Sequence, residues 1–187
     1  MKFFQFERAG YSWGSSFIKP LYLLFVIALA IPQFSFAGDG SDSTIIYLVR
    51  HAEKLTGTKD PGLTQYGQTR ALELARVLQD EPIAAIFSSQ YRRAAETAQP
   101  LAAYLSLEVR QYDAGNAESL KTKVLAEYSG QSVLIVGHSN TLDDIAAAFG
   151  VQGMRDLDES MYDRLFVVHH RADGSHIQRL RFGDRTP

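Results

Sequence analysis

Apolar, strand-like runs alternate with segments of helical spacing along most of this chain, and that alternation limits the possible folds more than any other feature. The runs TIIYLV at 44–49 and SVLIV at 132–136 are short, apolar and rich in β-branched residues, which is typical of buried strands. Strands that alternate with helices predict an α/β fold, namely a three-layer α/β/α sandwich with a mostly parallel central sheet. The pattern predicts strands at 44–49, 83–87, 107–112, 132–136, 165–169 and 177–182, and helices at 64–79, 91–105, 117–128 and 140–149.

The first part of the chain has a different character. Basic residues precede an apolar run of 11 residues at 21–31, and the small residues Ser35 and Ala37 then stand before a polar stretch. Because a membrane-spanning helix needs about 20 apolar residues, the run is short for a permanent anchor. The pattern predicts a signal peptide, residues 1–37, cleaved after Ala37, and a mature protein that is secreted or periplasmic. The alternative is an uncleaved N-terminal anchor, which is the only membrane contact that the sequence suggests.

Composition sets further limits. The chain has 187 residues, of which 45% are hydrophobic, and its part at 38–187 suits a single domain with its own core. The net charge of −2 argues against a nucleic-acid partner, since non-specific binding to nucleic acid needs a basic face. The chain has no cysteine, which excludes thiol catalysis, zinc–thiolate sites and disulfide bonds.

Polar side chains follow each of the first four predicted strands. Arg50 and His51 follow the first strand, Ser89 the second, Asp113 the third and His138 the fourth. In a sheet of this kind, ligands bind beyond the carboxyl ends of the strands. Arginine binds phosphate with two parallel hydrogen bonds, and the N-terminus of a helix adds N–H donors. The sequence therefore predicts an anion site with two histidines at one edge of the sheet.

Four segments that carry these residues resemble the histidine phosphatase superfamily, which has the phosphoglycerate-mutase-like fold. The segments are YLVRHAE at 47–53, LTQYGQTRA at 63–71, SQYRRAAETA at 89–98 and VGHS at 136–139, and they stand in the order of the family. The resemblance runs from about residue 44 to 168. It implies the family's α/β fold for residues 38–187 and a phosphatase activity.

The resemblance also implies roles for individual residues. His51 would be the nucleophile and would form a phosphohistidine. Arg93 is preferred to Arg92, because the family arginine stands four residues after the serine and directly before an alanine. The implied catalytic residues besides the nucleophile are Arg50, Arg93 and His138, and the implied substrate-binding residues are Ser89, Glu53, Ser139 and Asn140.

Elementary chemistry agrees with those roles. A histidine nucleophile must be neutral, and nearby arginines disfavour its protonated form and lower the pKa of His51. Its second ring nitrogen should donate to a backbone carbonyl, which fixes the tautomer. The cations neutralise the phosphoryl oxygens, so we expect neither a metal nor a cofactor. The expected substrate is a phosphomonoester, either a small molecule or a component of the cell envelope.

The proton donor for the leaving group is a separate question. Relatives commonly use an acidic residue after the strand that follows the arginine-bearing helix, and here that zone offers Asp113 and Glu118. Asp113 is preferred because it stands at the predicted strand end, and Glu53 is a third candidate. Arg70 stands where the family usually has Gln, which we interpret as variation at the surface.

Other functions are compatible with parts of the sequence. The GHSNT segment at 137–141 suggests a serine hydrolase with Ser139 as its nucleophile and a late aspartate and histidine as partners, but the segment lacks the second glycine of that motif. A phosphate-binding or anion-binding module of the same fold, without turnover, is the non-enzymatic alternative. The pairs Asp143-Asp144 and His169-His170 do not suggest a metal site, because adjacent side chains point apart.

Overall fold

The computed structural model describes residues 43–186, and within that range the chain forms six strands and four helices. The predicted signal peptide, 1–37, lies outside the described residues. None of the helices in the described part is long and apolar enough to cross a membrane. In chain order the elements are β1 (Thr44–Arg50), α1 (Gln65–Leu78), β2 (Ile83–Ser89), α2 (Arg92–Leu105), β3 (Val109–Tyr112), α3 (Ala117–Tyr128), β4 (Ser132–Gly137), α4 (Leu142–Ala148), β5 (Arg164–Arg171) and β6 (Gly174–Arg181).

The predicted fold class is confirmed, and the element boundaries differ from the predicted ones by a few residues. The strand predicted from residue 107 begins at Val109, because the cap that follows helix α2 extends to Leu107. Ser106 adopts a left-handed conformation with φ of 56°, and the amide of Leu107 donates to the carbonyl of Ala102 at 2.9 Å. These contacts satisfy carbonyls at the end of the helix and use residues that the apolar pattern assigned to a strand.

The six strands form one mixed sheet in the order β3-β2-β4-β1-β5-β6. The pairs β3–β2, β2–β4 and β4–β1 are parallel, whereas β5 runs antiparallel to β1 and is joined to β6 as an antiparallel hairpin. Strands β2, β4 and β1 are therefore neighbours, and their carboxyl ends lie side by side. This order brings together polar residues that are far apart in the sequence.

Each face of the sheet is covered by a separate apolar core. Helices α1 and α2 pack on one face with residues such as Tyr47 and Val49, and helices α3 and α4 pack on the other with Ile46 and Leu48. The alternation along β1 follows from the two-residue repeat of a strand, whose side chains point to opposite faces. Because both faces are buried, the strand is apolar from Ile45 to Val49, as its sequence run suggested.

Two glycines allow close approaches at the edge of the sheet where the parallel strands end. A Cβ atom at Gly67, in the first turn of α1, would lie 2.2 Å from the carbonyl oxygen of Glu53. At Gly137, the last residue of β4, a Cβ atom would lie 2.9 Å from the side chain of Leu142. Gly67 therefore lets the start of α1 pack against the residues after β1, and Gly137 lets the start of α4 pack against the end of β4.

Candidate active site

Three strand ends converge on a pair of histidines. The amide of His51 donates to the carbonyl of Gly137 at 2.9 Å, which continues the parallel pairing of β1 with β4 for one residue. The ring centroids of His51 and His138 are 5.2 Å apart. The hydroxyl of Ser89, at the end of β2, lies 2.7 Å from Nε2 of His138. All three side chains are buried, so the sheet itself holds them in place.

Backbone contacts fix the orientation of the His51 ring. Its Nδ1 lies 2.8 Å from the carbonyl oxygen of Ala52, and since a carbonyl only accepts, Nδ1 carries the proton. The neutral ring then has its lone pair on Nε2. The amide of Ala52 donates to the hydroxyl of Thr97 at 2.9 Å, and that hydroxyl donates to the carbonyl of Arg93 at 2.8 Å. Helix α2 thus supports the residue that orients the ring.

The surroundings keep His51 uncharged. Burial lowers the pKa of His51 to about 3. The hydrogen bond to Ala52 raises the pKa, whereas the nearby His138, Arg50 and Arg93 lower it. A neutral imidazole with a free Nε2 has the form that a nucleophile requires.

His138 is neutral as well, with the opposite tautomer. Burial and the charges of Arg93 and Arg50 lower its pKa to about 4. Nη2 of Arg93 lies 3.3 Å from Nδ1 of His138. Because a guanidinium can only donate, Nδ1 accepts, and the proton on Nε2 is donated to the hydroxyl of Ser89. An anion placed beside His138 would favour its protonated form.

Arg93 belongs to the first turn of α2 and is turned into the site. Its guanidinium lies over the ring of Tyr91, with Cζ 4.5 Å from the centroid, and 3.8 Å from the carboxylate of Asp60. Its Nε is buried and has no hydrogen-bond partner among the described residues. The neighbouring Arg92 is 66% exposed and pairs with Glu96, so the structure places Arg93 rather than Arg92 against His138.

Arg50 is held by the loop before β5. Only 1% of its side chain is exposed. Its Nη1 donates to the carbonyls of Asp158, Glu159 and Met161 at 3.1, 2.9 and 3.1 Å, and its Nη2 donates to Oε2 of Glu159 at 2.8 Å. The ring of Tyr162 packs on the guanidinium, with the centroid 4.1 Å from Cζ. As in Arg93, the Nε is buried and has no partner in the part of the chain that the structure describes.

Two of the predicted substrate-binding residues flank this centre. The hydroxyl of Ser139 donates to Oε1 of Glu159, and its carbonyl accepts from the amide of Leu157 at 3.0 Å. Asn140 is exposed in the turn before α4. Ser139 therefore contacts the loop that also holds Arg50, and Asn140 lies at the rim.

The carboxylate of Glu53 pairs with Arg70, and its role in substrate binding stays a prediction. Its carboxylate accepts from Nε and Nη2 of Arg70, the latter at 2.8 Å. Arg70 is 6% exposed and also donates to the carbonyls of Phe182 and Asp184. The interpretation of Arg70 as surface variation is therefore wrong: the pair ties the segment after β1 to helix α1 and to the segment after β6.

The candidate proton donors lie on the loop after β3 and at the start of α3. The carboxylate of Asp113 accepts from the amide of Gly115 at 3.0 Å, and the side chain is exposed. Glu118 is exposed in the first turn of α3 and lies 3.5 Å from Lys121. The contacts described here do not join either carboxylate to His51 or His138, so the role of Asp113 stays a prediction.

The residues of the alternative hypotheses are not assembled. His169 stacks on His176 with ring centroids 4.4 Å apart, and His170 bonds to the carbonyl of Phe149 through Nδ1. Neither pairs with Ser139, as a serine hydrolase would require. Among the residues that the structure describes, no group of three or more histidine, aspartate or glutamate side chains is placed to hold a metal ion.

Several contacts were not predicted from the sequence. They come from two loops, 54–63 and 152–163, and from residues on either side of Arg93. One signal for them was present in the sequence, namely the polar and acidic character of the segment before β5. The residues that make these unpredicted contacts are Asp60, Tyr91, Thr97, Glu159 and Tyr162.

Comparison with known proteins relates part of this chain to a known family. The profile of the histidine phosphatase superfamily (branch 1) matches residues 46–116. No curated protein sequence matches the chain. Several solved structures share its fold at low sequence identity.

One of these is the protein histidine phosphatase SixA, solved as a complex with tungstate. It is 16% identical, with a TM-score of 0.62 over 73% of this chain and 96% of SixA. YhfR from Bacillus stearothermophilus is 20% identical, with a TM-score of 0.60 over 72% of this chain and 95% of its own. A mycobacterial glucosyl-3-phosphoglycerate phosphatase is 16% identical, with a TM-score of 0.57 over 76% of this chain and 100% of its own. At these identities, the likeness concerns the fold.

The matched residues include three of the four segments identified above, and the fourth, at 136–139, lies outside them. The chain is similar to the histidine phosphatase superfamily over residues 46–116, and its fold is similar to that of solved histidine phosphatases. The matching profile supports a phosphatase activity.

Proposed function

We propose that the protein is a phosphomonoester hydrolase that forms a covalent phosphohistidine on Nε2 of His51. The observation that carries this proposal is the hydrogen bond of 2.8 Å from Nδ1 of His51 to the carbonyl of Ala52. It leaves the lone pair on Nε2, and the pKa of about 3 keeps the ring neutral at physiological pH. Arg50 and Arg93 act on this ring and supply the positive charge that a phosphoryl group needs, and the ring of His138 lies 5.2 Å from it.

The reaction proceeds in two displacements. In the first, Nε2 of His51 forms a bond to phosphorus, the bond to the ester oxygen breaks, and the leaving oxygen takes a proton. In the second, water attacks phosphorus and gives a proton to the group that protonated the leaving oxygen, the bond to nitrogen breaks, and phosphate leaves while His51 returns to its neutral form. Phosphoryl transfer depends on positioning the reactants and on stabilising the charge of the phosphoryl oxygens. The fixed ring of His51 provides the first, and the two guanidinium groups provide the second.

The charges of the site suit a dianion. The Nε donors of Arg50 and Arg93 are buried without partners among the described residues, and an unsatisfied buried donor is costly. A bound phosphoryl group would add negative charge beside His138 and raise the pKa of its ring. A protonated His138 would then donate to a phosphoryl oxygen through Nδ1, in place of accepting from Arg93.

The simplest test measures hydrolysis of p-nitrophenyl phosphate by the purified protein, with His51→Asn as the inactive control. The proposed mechanism uses arginine and histidine cations in place of a metal, so activity should persist in EDTA, and vanadate should inhibit as a phosphoryl mimic. Loss of activity in EDTA that magnesium or zinc restores would contradict it.

We propose Asp113 as the donor of the leaving-group proton. The loop that carries it is bonded to the turn before α2, because the amide of Ala114 donates to the side chain of Gln90 at 3.1 Å. Gln90 directly follows Ser89, so this contact brings the loop toward the strand end that holds His138. Asp113→Asn should slow the hydrolysis of alkyl phosphates far more than that of p-nitrophenyl phosphate, whose leaving group needs little protonation. Equal losses on the two substrates would exclude Asp113 and direct the same test to Glu118→Gln.

We further propose that the protein is exported and acts on a small or envelope phosphomonoester outside the cytoplasm. This rests on the sequence pattern of residues 1–37. Intact-mass measurement of the exported protein should give a chain that begins at Gly38. A membrane-bound protein that retains residues 1–37 would instead identify an anchor.

A further inference from the structure

Glu159 contacts Arg50, which the proposed function assigns to the substrate phosphate, and Ser139, a predicted substrate-binding residue. Its Oε2 accepts from Nη2 of Arg50 at 2.8 Å, and its Oε1 accepts from the hydroxyl of Ser139. Its negative charge also acts on His138, the residue beside Ser139, and favours the protonated form of that ring. A carboxylate is thus seated among an arginine, a hydroxyl and a histidine that are suited to bind an anion.

The environment of Glu159 favours its charged form. The hydrogen bond from Ser139 is the main cause that lowers the pKa of this carboxyl. Burial, the next largest cause, raises the pKa, and the charges of Arg50 and Lys54 lower it further. The carboxylate therefore holds its place in the site as an anion. Since 75% of the side chain is exposed, it is also free to move into solvent when another anion replaces it.

The loop can lose this contact without losing its hold on Arg50. Nη1 of Arg50 donates to the three backbone carbonyls of Asp158, Glu159 and Met161, and the ring of Tyr162 packs on the guanidinium. Removing the carboxylate would therefore release Nη2 while the guanidinium stays in place.

We propose that Glu159 is an internal anion that competes with the substrate phosphoryl group for Arg50 and Ser139, and so sets the affinity of the active site. This inference rests on the proposed function. When a phosphate enters, the Glu159 carboxylate leaves Nη2 of Arg50 and the hydroxyl of Ser139, and phosphoryl oxygens replace it. Tight binding of the product phosphate is weakened by the same competition, which favours its release.

The test measures the binding of inorganic phosphate to the purified protein by calorimetry, in the wild type and in Glu159→Gln. The amide keeps the size of the side chain and removes its charge. Because the side chain is exposed, the substitution should leave the fold intact. The variant should bind phosphate about tenfold more tightly, the effect expected when one charge-assisted competitor is removed. Glu127→Gln, which removes a partly exposed carboxylate on α3 that pairs with Arg110, is the matched control and should bind like the wild type.

Kinetics give an independent readout. In Glu159→Gln, the KM for p-nitrophenyl phosphate should fall by a similar factor. A loss of kcat confined to alkyl phosphates, with unchanged phosphate affinity, would instead identify Glu159 as a proton donor and overturn the inference.

The remaining outcomes separate this inference from the proposed function. If the wild type hydrolyses phosphomonoesters and Glu159→Gln binds phosphate equally or more weakly, only the competition is wrong, and weaker binding would show that Glu159 positions Arg50. If neither protein binds phosphate nor hydrolyses a phosphomonoester, the proposed function and this inference both fail.

Discussion

The candidate active site has a buried inner part and an exposed outer part, and the two are built by different means. The inner residues follow strand ends or start helix α2, and 15% exposure of the Arg93 side chain is the largest among them. The outer part consists of two rim carboxylates, Asp60 and Glu159, whose side chains are 49% and 75% exposed. The inner residues are Arg50, His51, Ser89, Arg93 and His138.

This difference separates groups that must keep one geometry from groups that can exchange partners. The inner residues are fixed by the register of β2, β4 and β1 and by hydrogen bonds in a surrounding of low polarity, where electrostatic contacts are strong. The rim carboxylates each contact one inner arginine from a loop, in surroundings where water screens their charge. Substitutions in the inner part should therefore abolish catalysis, and substitutions at the rim should adjust it.

The strongest test of this division is His51→Ala, which removes the proposed nucleophile. Turnover of p-nitrophenyl phosphate should fall to the background rate, because no other inner side chain can replace Nε2 in line with the leaving oxygen. His176→Ala, which changes an exposed histidine on β6, is the control and should retain normal kcat/KM. Substantial turnover by His51→Ala would show that another group carries the reaction.

The next largest effect is expected for Arg93→Ala. This variant should lose about 3 kcal/mol of transition-state stabilisation, or about 100-fold in kcat/KM, by analogy with the removal of other charge-stabilising donors. Arg92→Ala is a closely matched control, since it removes the same charge one residue earlier from a side chain that pairs only at the surface. If the two variants had equal activities, Arg93 would have no place in the phosphate pocket.

Acid should destabilise the inner part specifically. Below pH 6.5 the unfolded chain protonates His51 and His138, whereas burial lowers their pKa in the folded chain to about 3 and about 4. The unfolded state then binds more protons, so the free energy of unfolding falls as the pH falls from about 6.5 to about 4, by up to about 1.4 kcal/mol per pH unit for each histidine. Urea unfolding at several pH values would measure this slope.

The variant His51→Asn should show a shallower loss of stability over the same pH range, because it removes one of the two buried titrating rings. An NMR titration of the His51 ring in the wild type gives the pKa directly. A pKa near 6.5 would mean that the ring is solvated and would remove the basis for a neutral nucleophile at low pH.

The smallest effect is expected at the rim. Asp60 contacts Arg93 at 3.8 Å and accepts from the amide of Arg92 at 3.1 Å, but it is half exposed. Asp60→Asn should change the free energy of unfolding by less than about 1 kcal/mol and kcat/KM by only a few-fold. A loss as large as that of Arg93→Ala would place Asp60 among the residues that must keep their geometry.

The inner part was largely accessible from the sequence because its positions are dictated by local patterns. An apolar run that ends in Arg50-His51 or in Gly137-His138 fixes both the strand and the edge at which its polar residues emerge. The order of the strands in the sheet was not accessible in this way, since it depends on which strands pair across long separations. The mixed character of the sheet arises from β5 and β6, whose hairpin runs antiparallel to β1.

The contacts of the loops were not predicted, for a physical reason. Glu159 and Arg50 are 109 residues apart, and the carbonyls that hold Arg50 belong to a segment without a strand or helix period. The same applies to Arg70, whose partners Glu53 and the carbonyl of Phe182 come from different ends of the described chain. Side chains in such positions acquire a role only through tertiary contacts, which a periodic pattern does not encode.

The central claim is that His51 carries the phosphoryl group, and rapid quenching tests it most directly. The wild-type protein is mixed with a phosphomonoester labelled on phosphorus, quenched within one turnover, digested and mapped by mass spectrometry. A phosphoryl group that is labile in acid and stable in base should be found on His51, and none in His51→Ala. Phosphate attached to Ser139, stable in acid, would contradict it.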